Sequence, residues 1–157
     1  MYVTLDHSLG VIKFDVDLNS LPTVFIKGYE VMVHFQAHDF ENSKGEFYTD
    51  SNGLRMQKRK LNWREYFDEV EYNHGKFNIS SNFYPINTAL SVFDENSTRQ
   101  FTVMNDRSQA GSSLYPGNVQ LMQNRRLSGD DNKGVGEFLN ETDSFGNGIR
   151  VFASYYV

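Results

Sequence analysis

Apolar and polar residues alternate with a period of two along two stretches of the first third of the chain. In 12–18, every second residue is apolar and the residues between are Lys13, Asp15 and Asp17. The stretch 31–38 alternates in the same way. Because successive side chains of a β-strand point to opposite faces, this pattern predicts two strands with one face exposed to solvent.

Four further strands are predicted from short apolar runs that lie between turn-rich segments, at 87–93, 99–105, 119–124 and 149–157. Only four of the 157 residues are alanine, whereas 15 are asparagine and 12 are glycine, so helix formers are scarce and turn formers abundant. Six strands without a convincing helix between them favour an all-β, antiparallel β-sandwich. With neither an internal repeat nor a linker, the sequence predicts a single domain over 1–157.

The last predicted strand, 149–157, is apolar and aromatic up to its final residue. An uncapped strand of this kind is a pairing surface, and natural domains protect such edges. We therefore expect the sandwich to be incomplete at its C-terminus and the chain to be a fragment of a larger protein.

Composition narrows the possible partners. The 15 Lys and Arg residues against 20 Asp and Glu residues give a net charge of −5, which argues against binding to nucleic acid or to an anionic membrane. The absence of cysteine excludes disulfides, thiolate zinc sites and cysteine nucleophiles. No apolar run approaches the roughly 20 residues that span a bilayer, and the first residues lack a signal-peptide pattern, so we expect no membrane contact and no targeting signal within 1–157.

Three patterns suggest chemistry but have simpler interpretations. His34 and His38 are interpreted as exposed residues of a strand, because a metal pair at this spacing needs a helix. The segment 130–141 is interpreted as a plain turn, since Val135 occupies the position at which a calcium loop requires glycine. The basic segment 55–64 is interpreted as a solvated loop or edge whose charges partly pair with the acidic residues after it.

Two polar clusters follow predicted strands and remain open to two interpretations. The first is Asp106 with Arg107, and the second comprises Arg125, Arg126, Asp130 and Asp131. Under a structural interpretation these side chains pair or cap strand ends. Under a functional interpretation they line a sugar-binding cleft, where guanidinium and carboxylate groups bind hydroxyls.

Three sequons make Asn78, Asn96 and Asn140 candidates for N-glycosylation. All three lie in predicted loops or at strand starts. They are compatible with a protein of the secretory pathway.

Four motifs carry a more specific resemblance. They are FYTDSNG at 47–53, NFYPIN at 82–87, QFTVMNDRSQAGSSL at 100–114 and RRLSGDDNKGVGE at 125–137. In order and spacing they resemble the C-terminal β-domain region of glycoside hydrolase family 38, the class II α-mannosidases, and most closely the lysosomal type. The resemblance covers roughly 11–142.

This resemblance implies a galactose-mutarotase-like supersandwich and a parent enzyme that is a retaining α-mannosidase with a bound zinc ion. In that family the nucleophile and the zinc ligands, including a His-x-Asp pair, come mostly from an N-terminal catalytic domain. The chain contains no His-x-Asp, so we assign no catalytic and no metal residue and expect no cofactor in this chain. The resemblance makes Arg125 and Arg126 candidates for substrate binding, with Asp106, Arg107, Asp130 and Asp131 shaping the loops.

The resulting hypothesis is a fragment of a lysosomal or secretory α-mannosidase that is inactive alone. Its implied partners are the N-terminal catalytic domain of the same parent chain and mannose-containing glycans. The alternative is a free-standing β-sandwich that binds carbohydrate or a protein partner without catalysis.

Overall fold

The computed structural model describes residues 1–22, 28–63, 79–96, 98–130, 132, 134 and 136–157. Within them the chain forms eleven strands and one short 3-10 helix, Ser80–Asn82. The strands are β1 Tyr2–Asp6, β2 Val11–Leu18, β3 Tyr29–Gln36, β4 Glu46–Ser51, β5 Arg55–Lys60, β6 Tyr84–Ile86, β7 Ala89–Phe93, β8 Gln100–Asn105, β9 Gln109–Ser112, β10 Asn118–Arg126 and β11 Val151–Tyr156. No helix among the described residues is long and apolar enough to cross a membrane.

The strands form two sheets in which every pairing is antiparallel. The larger sheet has the order β1-β2-β11-β8-β7-β4-β5, and the smaller has the order β3-β10-β9-β6. The predicted antiparallel β-sandwich is therefore confirmed.

The core lies between the two sheets and follows the period of two. Phe47, Leu90 and Val103 point inward from the larger sheet and are fully buried. Val119 and Leu121 do the same from the smaller sheet. Because only alternate residues of each strand enter the core, the intervening residues form the two outer faces of the sandwich.

All six predicted strands are present, with bounds that differ by a few residues from those expected. Five strands were not predicted, namely β1, β4, β5, β6 and β9. The basic segment around 55–60 is an edge strand of the larger sheet, and Lys58 pairs with Glu46 at 2.7 Å. The acidic residues at 65–71 that were expected to pair with it lie outside the described residues. His34 and His38 are both exposed, although His38 lies just beyond the end of β3.

The expectation that 149–157 forms an open pairing surface is wrong. Strand β11 lies inside the larger sheet, paired with β2 from Val151 to Tyr156 and with β8 through Tyr155 and Tyr156. Tyr155 is fully buried and packs edge-on against Phe35 of the opposite sheet at 5.6 Å. The aromatic character of this strand therefore reflects its place in the core.

Candidate functional site

The two candidate arginines lie at the end of β10, and neighbouring positions on a strand point to opposite faces. Arg126 is buried, with only 7% of its surface exposed. Its Nε donates a hydrogen bond to Asn140 Oδ1 at 2.7 Å, and its Nη1 donates to the carbonyl oxygen of Leu21. Arg126 thus joins the end of β10 to two segments that are remote in sequence.

Arg125 has a different environment. Its side chain is 42% exposed, and its Nε lies 2.9 Å from a carboxylate oxygen of Glu30 on β3. An exposed ion pair of this kind contributes little to stability. The guanidinium of Arg125 is therefore the one that a ligand outside this domain could reach.

A small hollow lies beside these arginines. Its volume is about 30 Å³, and it is lined by Leu21, Asn124, Arg125, Arg126, Leu139, Glu141 and Ile149. A space of this size holds a water molecule but not a sugar ring. A sugar-binding cleft at this end of β10 would therefore need further walls from outside the described residues.

The cluster at Asp106 and Arg107 lies in the turn between β8 and β9. One carboxylate oxygen of Asp106 accepts a hydrogen bond from Arg107 Nε at 3.0 Å. The other accepts from the backbone N–H of Ser154 at 3.0 Å. The pair links this turn to β11, and no hydrogen bond or ion pair between described residues joins it to Arg125 or Arg126.

The remaining candidates lie in turns. Asp130 accepts a hydrogen bond from the backbone N–H of Asn132 at 2.9 Å, whereas Asp131 and Asn78 lie outside the described residues. Asn96 is exposed in the turn between β7 and β8, and Asn140 is half-buried because its side chain binds Arg126. The loop-shaping roles and the glycosylation of these residues stay predictions.

The turn between β7 and β8 is organised by a buried carboxylate that the sequence did not reveal. Asp94 Oδ1 accepts the backbone N–H groups of Thr98 and Arg99 at 2.8 and 3.2 Å. Its Oδ2 accepts Thr98 Oγ1 at 2.9 Å and Arg99 Nε at 3.1 Å. Burial by itself raises the pKa of Asp94, but the hydrogen bonds from Arg99 and Thr98 outweigh it and hold the pKa at about 2.

We expect Asp94 to make stability depend on pH in the acid range. Because its pKa is lower in the folded than in the unfolded chain, its contribution is fully present above its ordinary value of 3.8 and is lost as the pH falls towards about 2. Asp94→Asn should lower the melting temperature at neutral pH and flatten its pH dependence in that window. Thermal melts of both proteins across the acid range measure this.

The matched control for Asp94 is Glu41→Gln, the same carboxylate-to-amide change at an exposed position. This variant should keep the wild-type profile. A wild-type profile for Asp94→Asn would show that the hydrogen bonds around Asp94 do not govern acid stability.

Beside this turn lies a groove on the outer face of the larger sheet. Its volume is about 210 Å³, and it is lined by Asn42, Lys44, Glu46, Tyr48, Phe93, Asp94 and Glu95. Sequence reasoning missed the groove because its two halves, 42–48 and 93–95, are far apart in the chain.

The residues present do not fit a zinc ion. Within the described part of the chain, no group of three or more His, Asp or Glu side chains is close enough to hold a metal. The polar groups that do converge are arginines, amides and carboxylates engaged in hydrogen bonds.

The fold and these polar clusters define an antiparallel β-sandwich domain with polar loops at the ends of its strands. A family model described as the glycosyl hydrolases family 38 C-terminal domain matches residues 3–133. The chain belongs to this family, which confirms the resemblance found from the four motifs.

Relatives of known name agree with this assignment. The chain is 44% identical over 108 residues to a lysosomal alpha-mannosidase of Felis catus, which covers 69% of this chain and 10% of the relative. It is 38% identical over 133 residues to the lysosomal alpha-mannosidase of Homo sapiens, and the alignment covers 85% of this chain and 12% of the relative. It is 33% identical over 162 residues to an alpha-mannosidase of Canavalia ensiformis, and the alignment covers 100% of this chain and 15% of the relative. The chain thus spans between about a tenth and a seventh of the length of these relatives.

Proposed function

We propose that the chain is the C-terminal β-domain of a retaining α-mannosidase that hydrolyses terminal α-mannose residues of glycans. The observation that carries this proposal is the family match over residues 3–133. The lysosomal relatives support a place in the lysosome or the secretory pathway.

In this proposal the domain packs on an N-terminal catalytic domain of the same parent chain and completes it. Support comes from the edge of the larger sheet, where Val3 and Leu5 are each 55% exposed on the face that elsewhere forms the core. Strand β3 is an edge of the smaller sheet, and its Phe35 contacts Phe14 of β2. The smaller sheet therefore ends opposite β2, and β1, the next strand of the larger sheet, is not covered by it. An exposed apolar surface of this kind is typical of an interface.

The arginine-bearing end of β10 is proposed to face the substrate cleft of the parent enzyme. Arg125, with its exposed guanidinium, would bind sugar hydroxyls, and buried Arg126 would position that end of the strand. The aspartate nucleophile, the second acidic residue and the zinc ligands would come from the catalytic domain. The domain alone would then be inactive.

The test begins with the coding sequence upstream of Met1. Both the 157-residue chain and the chain joined to the upstream coding region are expressed and assayed with an aryl α-mannoside, with and without a chelator. We expect turnover only from the joined protein, and we expect the chelator to abolish it.

Two results would contradict the proposed function. One is chelator-sensitive turnover by the 157-residue chain alone, which would contradict the proposed inactivity of the domain without the catalytic domain. The other is a promoter and a stop codon directly upstream of Met1, which would favour a free-standing β-sandwich.

A further inference from the structure

The outer-face groove beside Asp94 has the properties of a preformed binding site. Its two walls come from the loop before β4 and from the turn between β7 and β8. Glu95 N–H donates to the carbonyl oxygen of Glu41 at 2.9 Å, and Arg99 Nη2 donates to the carbonyl oxygen of Asp39 at 2.6 Å. The backbone N–H of Ser43 donates to Glu95 Oε1 at 3.0 Å. These bonds hold the two walls together before any ligand arrives.

One wall of the groove is aromatic. The rings of Tyr48 and Phe93 lie 5.2 Å apart, nearly perpendicular at 81°, and both side chains are half-buried. Such rings present an apolar face, and the Tyr48 hydroxyl adds a polar tip. This aromatic pair suits a ligand with an apolar face and a polar edge.

The groove lining also offers hydrogen-bonding groups that the fold does not use. Among the described residues, the Lys44 ammonium has no hydrogen-bonding or ionic partner, and the Tyr48 hydroxyl makes no hydrogen bond but interacts electrostatically with Lys58. Glu95 engages Ser43 through Oε1, which leaves its Oε2 to the groove. A cation, a hydroxyl and a carboxylate oxygen therefore line the space together.

The charges in the groove favour a neutral ligand. An anion would meet the carboxylates of Glu46, Asp94 and Glu95. A cation would meet Lys44, while Asp94 already accepts four hydrogen bonds and Glu46 is paired with Lys58. Hydroxyl groups both donate and accept, so they can satisfy Lys44 and Glu95 at once.

We propose that this groove binds one neutral pyranose ring of a glycan, with the apolar face of the sugar against Tyr48 and Phe93. Its volume of about 210 Å³ lies below the roughly 300–1,000 Å³ of pockets for drug-sized ligands, which limits the occupant to about one ring. None of its lining residues takes part in the hollow beside Arg125 and Arg126. The groove is therefore a separate carbohydrate site, and it does not depend on the proposed mannosidase function.

The test is a titration of the ¹⁵N-labelled chain with methyl α-D-mannopyranoside and, separately, methyl α-D-glucopyranoside, followed by amide chemical shifts. A ligand of this size should bind with a dissociation constant of about 1–10 mM. We expect the shift changes to concentrate on residues 42–48 and 93–95. Phosphate and methylammonium, at the same concentrations, should leave these amides unchanged.

Variants connect the binding to the groove. Tyr48→Ala should weaken binding by about tenfold or more, and Lys44→Ala by about threefold to tenfold. Tyr115→Ala, which removes a 66% exposed tyrosine outside the groove, should bind as the wild type does. If Tyr48→Ala fails to fold, the exposed Lys44→Ala change still decides the question.

Three outcomes would overturn the proposal. In the first, neither sugar changes the amide chemical shifts. In the second, the folded Tyr48→Ala and Lys44→Ala variants bind the sugars with unchanged affinity. In the third, phosphate or methylammonium changes the shifts as much as the sugars do. None of these outcomes bears on the mannosidase proposal, because the titration involves no turnover.

Discussion

Asp50→Ala is expected to lower the free energy of unfolding by about 3 kcal/mol, because one buried carboxylate holds two turns together. Asp50, at the end of β4, is only 4% exposed. Its Oδ1 accepts the backbone N–H groups of Asn87, Thr88 and Ala89 at 2.8, 3.0 and 3.2 Å. Its Oδ2 accepts the N–H of Gly53 at 2.8 Å. Burial alone raises the pKa of Asp50, and these four donors together bring it below its ordinary value.

The magnitude follows from what alanine leaves behind. Each backbone N–H that loses its acceptor lowers the free energy of unfolding by about 1–3 kcal/mol when no water replaces the acceptor. At a turn, water can bind some of these N–H groups, so the total loss is smaller than the sum. Asp50→Asn should lower the free energy of unfolding by less than Asp50→Ala, because the amide oxygen can still accept hydrogen bonds from the 87–89 turn. Part of the loss remains, because the amide NH₂ group then faces the N–H of Gly53. Urea unfolding monitored by tyrosine fluorescence measures both variants.

The control for Asp50 is Glu137→Ala, which truncates an exposed carboxylate. Surface changes of this kind usually alter stability by less than about 0.5 kcal/mol. If Asp50→Ala lost no more stability than Glu137→Ala, water would be satisfying the four donors and the carboxylate would not hold the turns.

Six strands were predictable from alternation or from short apolar runs, whereas strands that depend on their neighbours were not. The sequence of β5, RMQKRK, is almost entirely polar, yet Arg59 turns inward and places its guanidinium carbon 4.4 Å from the ring centroid of Tyr84. Its long side chain covers apolar surface as a hydrophobic residue would. In β4, Thr49 and Asp50 are buried by hydrogen bonds rather than by apolar character.

The two short strands were hidden by residues that usually interrupt sheets. Pro85 lies in the middle of β6, at the edge of the smaller sheet, where a missing N–H is tolerated. Gly111 lies within β9, where an added Cβ would come within 3.0 Å of Ile86 Cδ1 and 3.1 Å of Leu90 Cδ1. The glycine marks close packing between the sheets, which becomes visible only when the sheets are in contact.

The place of β11 could not be predicted either, because a strand pattern does not name its partners. β11 pairs with β2, from which more than a hundred residues separate it in the chain. The candidate site was predictable only as a list of residue types. That Arg125 is exposed and Arg126 buried follows from their opposite directions on β10, and the groove at Tyr48 and Phe93 follows from the pairing of β4 with β7.

Arg126→Ala is expected to lower the free energy of unfolding by about 2–3 kcal/mol, whereas Arg125→Ala should change it by less than about 0.5 kcal/mol. Truncation of Arg126 removes two charge-assisted hydrogen bonds and leaves the carbonyl of buried Leu21 without its donor. The fold also makes room for this contact, since a Cβ on Gly148 would lie 2.6 Å from both Arg126 Nη1 and the carbonyl oxygen of Leu21. Gly148→Ala should therefore destabilise the domain through the same contact, and urea unfolding of the three variants measures the difference.

The same two arginines distinguish a structural from a functional role in the proposed parent enzyme. Both variants are assayed well below their melting temperatures. If the end of β10 faces the substrate cleft, Arg125→Ala lowers kcat/KM while the melting temperature stays constant. Arg126→Ala then lowers kcat/KM by more than its loss of stability explains. If Arg126→Ala only unfolds the protein and Arg125→Ala leaves kcat/KM unchanged, both arginines belong to the framework of the sandwich. The buried guanidinium of Arg126 has two neutral acceptors and no carboxylate partner among the described residues. Its burial therefore has an unfavourable desolvation free energy that no ion pair within that part of the chain offsets.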